Sequence, residues 1–168
     1  MAYVPLSNDD LFALWNTAQL NATFVGGVLG GQLFLCTQSG FRSCEVLDTK
    51  RWSLFPENDA FCQTAKGGGI RQIEMIEFLQ PFKYWFLNNG DTDPLSCYSR
   101  LLTEGQRIWG MHQFRVEDKS EILHIGRHAS IKYLYSVGAS LDFIQGVYQF
   151  ANQATILEYL TSSITIKI

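Results

Sequence analysis

Apolar residues between Ser7 and Leu20 recur at helical spacing, with Leu11, Leu14, Trp15 and Ala18 on one face. Ser7 stands where a hydroxyl can cap free backbone N–H groups, and Asp9 and Asp10 suit the positive end of a helix dipole. The spacing predicts a helix here that packs on a core. Beyond it the pattern changes. Thr23 to Val28, Gln32 to Thr37 and Ser43 to Leu47 read as short strands, with turns at Gly40 and at Asp48-Thr49. The stretch from Arg51 to Phe61 reads as a loop carrying Trp52, Phe55 and Phe61. "AKGGGI" reads as a flexible turn.

Ile70, Ile73, Ile76 and Leu79 fit a helix face that Pro81 would stop, and "FKYWFL" after it reads as a buried strand. Arg107 to Val116 and Ile122 to Ile125 read as antiparallel strands around the charged turn "EDKSE". Ser140 to Leu160 is a second helical pattern, through Leu141, Ile144, Tyr148, Ala151 and Thr155. The chain closes on Ile164, Ile166 and Ile168, alternating with polar residues in the period of a strand. Together these predict an α+β fold: one domain, an antiparallel β-sheet packed by an N-terminal and a C-terminal helix, with a C-terminal strand.

The run "FVGGVLGGQLFLC" lies in a window without charge, from Leu11 to Phe41. Its apolar part is too short for a membrane span, which needs roughly 20 such residues. It is no phosphate loop either, having neither the Lys nor the Ser or Thr that the motif requires, and Lys66 precedes its glycines rather than following them. Glycine at strand positions marks a bulge or a close backbone approach, so Gly26, Gly27, Gly30 and Gly31 are candidate interface positions. A terminal apolar strand also needs a partner, which adds Ile164, Ile166 and Ile168.

Composition sharpens this picture. Charged residues make up 17% of the chain, against roughly 25% in ordinary soluble domains. Net charge is −3 and no basic run occurs, so direct nucleic-acid binding is not expected from the linear pattern. The four cysteines lack CxxC spacing, and the first residues lack the basic and apolar regions of a signal peptide. The expectation is buried free thiols and a cytoplasmic or virion-associated protein.

Candidate chemistry is sparse. His124 and His128 are four apart, a spacing that suits a metal on a helix but not on the strand read there. Cys97 is a candidate accessible thiol with no supporting motif. Asp91 and Asp93 fail the calcium-loop pattern and suit a turn, and Glu74 and Glu77 read as a solvated pair. No metal or cofactor is expected. The residues favour a non-enzymatic structural or assembly subunit, such as a virion or tail component, acting through uncharged interfaces to copies of itself or other subunits. The alternative is a ligand-binding or sensor domain with a pocket of Trp52, Phe55, Tyr84, Trp85 and Trp109. A Cys/His enzyme ranks third.

Overall fold

A computed structural model describes residues 3–55, 59–65, 69–90, 97–109 and 119–167. Helices dominate, with antiparallel strands set against them, an α+β arrangement. Strand β1 (Tyr3–Pro5) leads into α1 (Asn8–Val25). The Ser7 hydroxyl accepts from the Asp10 N–H at 3.1 Å, as the capping pattern requires. Leu11, Ala18 and Ala22 form its buried stripe.

The uncharged glycine run is helical, which corrects the reading as strands. Gly26 and Gly27 turn the chain with φ of +71° and +66°, and α2 (Gly27–Gln38) follows. From Val28 to Thr37 every residue except Phe34 is buried. A helix enclosed on all sides has no polar face, so its sequence carries no helical period. α1, α4 (Gln80–Leu87), α5 (Tyr98–Ile108) and α6 (Ile125–Ser136) surround it. Its glycines serve close approach: a Cβ on Gly31 would lie 3.0 Å from Phe82 Cβ, and one on Gly126 of α6 would lie 2.5 Å from the Thr37 carbonyl oxygen.

Other elements also depart from the sequence reading. Ser43 to Leu47 holds the short helix α3 (Ser43–Val46). The expected loop from Arg51 contains β2 (Trp52–Leu54) and leads to β3 (Asp59–Gln63). Ile70 to Glu74 is strand β4, which pairs with β3 in the three-stranded antiparallel order β2-β3-β4. Pro81 opens α4 rather than ending a helix, because its missing N–H is one that a first turn leaves free. "FKYWFL" is therefore helix. Arg107 and Ile108 end α5, and Ile122 to His124 lie in a 3-10 turn that runs into α6, not in strands. Positions 110–118, the glycine turn at 66–68 and Asp91 to Asp93 lie outside the described residues.

The second helical pattern is split. α7 (Leu141–Tyr148) ends where Gln149 takes φ +58°, and α8 (Ala154–Thr161) starts afresh. α8 and α7 pack with α6 around Ile131, Ile144, Tyr148, Phe150 and Ile156. The larger core surrounds α2. β5 (Thr165–Lys167) runs antiparallel to β1 of the same chain, Val4 opposite Ile166, in a separate two-stranded ribbon. No helix among the described residues is long and apolar enough to cross a membrane.

Gly126→Ala is expected to lower the unfolding free energy by about 3 kcal/mol, since backbone rather than a movable side chain must yield. Gly146→Ala, on an open face of α7 with nothing within 4 Å, is expected to raise it by about 0.5–1 kcal/mol. Chemical denaturation of the two variants checks both signs.

Candidate functional site

The turn from α2 to α3 carries Ser39, Gly40 (φ +67°), Phe41 and Arg42. Arg42 is the N-cap of α3, and its backbone N–H donates to Glu45 Oε1 at 2.7 Å. Glu45 is fully buried; its Oε2 accepts from the Ala65 N–H at 3.0 Å and lies 3.7 Å from Arg42 Nη1. Trp52 Nε1 donates to the Glu45 carbonyl at 2.8 Å. One carboxylate thus ties the start of α3 to the end of β3 and leaves the Arg42 side chain at a cleft.

Opposite stands α6. Its first turns bring His124, Arg127 and His128 to the same place. Arg127 is 1% exposed and donates from Nη1 to the Gly40 carbonyl at 2.7 Å. Its Nε and Nη2 have no hydrogen-bond partner among the described residues. The guanidinium lies among the rings of Phe150, Tyr148 and Tyr159, its Cζ 4.9, 5.4 and 5.9 Å from their centroids. Burial pulls its pKa below the usual arginine range. The Tyr159 phenol is the strongest neighbour acting the other way, and Arg42 adds to the depression. Arg127 nevertheless stays charged near neutral pH.

α8 supplies the third wall. The break at Gln149 turns it so that Tyr159 and Ser162 face α6. His128 packs edge-on against Tyr159 with ring centroids 4.7 Å apart. The Ser162 hydroxyl lies 3.0 Å from the Tyr159 carbonyl and 3.1 Å from His128 Nδ1. The hydroxyl has one proton for these two contacts; when it goes to the carbonyl, Nδ1–H is the donor and the lone pair lies on Nε2. Lys132 Nζ donates to the Ser162 carbonyl at 2.6 Å, anchoring the end of α8. Burial first, then Lys132, His124 and Arg127, hold the His128 pKa down at about 4. His128 is neutral at pH 7.

Between these walls is a cleft of about 470 Å³, with Arg42, His124, His128, Tyr159 and Ser162 on its surface and Glu158 as the only acid lining it among the described residues. The cleft therefore joins one guanidinium, two imidazoles and a phenol, with the Arg127 guanidinium buried behind it. Groups of these kinds can act as nucleophile, oxyanion donor and proton carrier.

Of the residues singled out in the sequence, His124 and His128 belong to this site. They sit at the start of a helix, not on a strand. Among the described residues no group of three or more His, Cys, Asp and Glu is arranged to hold a metal ion. Trp52, Trp85 and Trp109 lie in the core, with Trp52 packed on Phe82 and Phe86, while Phe55 and Tyr84 are exposed. None of the five lines the cleft. Gly30 and Gly31 face Phe78, Phe82 and Leu79 of the same chain. Gly26 and Gly27 border a second groove with Arg100 and Arg107. Ile164 is in the core, Ile166 pairs in β5, and Ile168 lies outside the described residues. Cys97 is exposed beside Ser99, whose hydroxyl lowers its thiol pKa. Cys36 and Cys62 are buried, and burial pushes the Cys62 thiol up to about 12. Glu74 is on β4 and Glu77 in a 3-10 turn, so they share no helix face.

Arg42, Arg127 and Tyr159 escaped the sequence reading. Arg127 stood in "HIGRH" between the two histidines, and that local cluster was the one available signal. Comparison with family models, with curated proteins and with solved structures finds no match to this chain.

His128 makes stability depend on pH. Its folded pKa of about 4 lies below the ordinary 6.5. Between these values the unfolded chain takes up a proton that the folded chain refuses, so stability falls as pH drops through the window. The loss levels off below about pH 4, at about 3 kcal/mol or less. His128→Gln is expected to flatten this segment of a urea-denaturation pH profile. A slope equal to that of the wild type would contradict the assignment.

Proposed function

We propose that the cleft is a phosphoryl-transfer centre in which Tyr159 is the nucleophile, and that the protein is an enzyme acting on phosphodiesters. The observation that carries this reading is the cleft surface shared by the Arg42 guanidinium, the Tyr159 phenol and the His128 imidazole, with the charged Arg127 buried behind it, its Cζ 5.9 Å from the Tyr159 ring centroid. An anion bound in the cleft meets Arg42 directly and feels Arg127 through the wall, and a forked guanidinium matches the tetrahedral oxygens of phosphate.

The reaction follows from the groups present. The Tyr159 Oη attacks phosphorus, the Tyr–O–P bond forms, and the bond from phosphorus to the leaving oxygen breaks. The phenolic proton moves through Nε2 of His128 to the leaving oxygen as phosphorus is attacked, and that oxygen departs as an alcohol; because the site disfavours a free imidazolium, the two proton movements are coupled to bond making and breaking. Arg42 stabilises the charge that builds on the non-bridging oxygens, with Arg127 behind it adding positive potential. A second alcohol then displaces Tyr159 and re-forms a diester, or water displaces it and leaves a phosphomonoester. A phenol suits a diester because the covalent intermediate is again a diester, so the exchange is close to balanced. Nucleic acid is the macromolecule made of such esters. This departs from the expectation of a non-enzymatic subunit without nucleic-acid contact. That expectation weighed Arg127 with Lys132 as too sparse a basic cluster, and Arg42 joins the neighbourhood of Arg127 only on folding.

A test uses two substrates, bis(p-nitrophenyl) phosphate and duplex DNA of randomised sequence, each followed by denaturation in SDS and peptide mass analysis. A covalent phosphoryl adduct on Tyr159 is expected, absent in Tyr159→Phe and about 100- to 1,000-fold slower in Arg42→Ala. Adduct on DNA alone identifies nucleic acid as the substrate. Failure of both substrates, or an adduct that persists in Tyr159→Phe, overturns the proposal.

A second reading, assembly through the terminal strands, is favoured by one feature. β1 and β5 form a ribbon apart from the main sheet, and an identical register can form between two copies. Light scattering after size exclusion is expected to give a mass that grows with concentration under this reading. A constant monomer mass contradicts it.

A further inference from the structure

Arg71, on β4, is 8% exposed and takes no part in the cleft itself. Its Nη2 donates to the Ser39 carbonyl at 2.8 Å, and its Cζ lies 3.9 Å from the Phe41 ring centroid and 4.9 Å from that of Tyr148. Arg127 meanwhile holds the next carbonyl, that of Gly40, and lies against the same Tyr148 ring. Two buried guanidinium groups therefore grip consecutive carbonyls of the turn that ends in Arg42, with one tyrosine between them. The Tyr148 hydroxyl bonds to Ser130, whose own hydroxyl bonds back to the Arg127 carbonyl at 3.2 Å.

A neutral side chain would hold a turn without burying charge, and buried charges are seldom the most stable solution. The fork of Arg71 does what an apolar side chain cannot: it fixes a carbonyl and a ring at once. The Ser39 and Phe41 N–H groups both donate to the Leu35 carbonyl at 3.2 Å and Phe41 is buried against Trp52, so the backbone of the turn is tied to the end of α2, while Arg71 ties its Ser39 carbonyl and its Phe41 ring to β4. We infer that Arg71 is a positioning residue for the proposed phosphoryl transfer, setting the place of Arg42 at the cleft through the Ser39–Phe41 turn. The effect on rate rests on the function proposed above; the effect on geometry does not.

The closing experiment separates the two. Arg71→Lys keeps the charge but loses the fork, and Phe41→Leu removes the ring it stacks on. Rates of Tyr159 adduct formation are measured for wild type, Arg71→Lys, Arg42→Ala and the double variant. Arg71→Lys alone is expected to slow the reaction about 10- to 100-fold, but less than about 2-fold when Arg42 is already alanine. Independent, multiplying effects overturn the inference. The Nε–Hε resonance of Arg42 is followed by NMR in Arg71→Lys and Phe41→Leu, with backbone spectra confirming the fold. A shifted Arg42 signal in both is expected even if no adduct ever forms, an outcome that would count against the proposed reaction alone. An unmoved Arg42 signal in folded variants overturns the positioning role.

Discussion

Gly126 lies against the end of α2 so closely that any side chain there would strike the Cys36 and Thr37 carbonyl groups. This backbone-to-backbone contact fixes much else. It forces α6 to start beside the point where α2 ends, and it puts Arg127 next to Gly40. The Gly40 carbonyl can then accept from the guanidinium, and Arg42 follows two residues later. The enclosure of α2 by apolar neighbours supplies the energy for this arrangement, and the glycines permit its geometry.

Charge is managed by the same scaffold. Glu45 is fully buried, yet it accepts two backbone N–H bonds, so its carboxylate is satisfied within the chain. Arg71 and Arg127 each use one nitrogen on a carbonyl of the α2–α3 turn and each keep at least one without a partner among the described residues. The interior around the cleft thus leans positive while the chain as a whole is acidic. Aromatic faces soften the cost, since ring quadrupoles attract cations.

The sequence made α1 legible because Ser7, the two aspartates and an apolar stripe all agree. The broad α+β class was legible for the same reason. α2 was not, because a helix buried all round has no period to read. β4 was misread as helix because Ile70, Ile73 and Ile76 happen to share helical spacing, while the pairing of β4 with β3 is decided by tertiary contacts. Gln149 broke an apparently continuous helix through a left-handed residue that is not glycine. Of the site, only the two histidines stood out. Arg42 and Tyr159 are 117 positions apart and single in their neighbourhoods, so nothing local announced that they meet.

The most direct measurement is a crystal structure of the protein bound to orthovanadate, which mimics the five-coordinate phosphorus of the transfer step. The account requires vanadium within bonding reach of the Tyr159 Oη, with the Arg42 guanidinium on its oxygens. Vanadate bound elsewhere, or a cleft left empty at saturating vanadate, would contradict it.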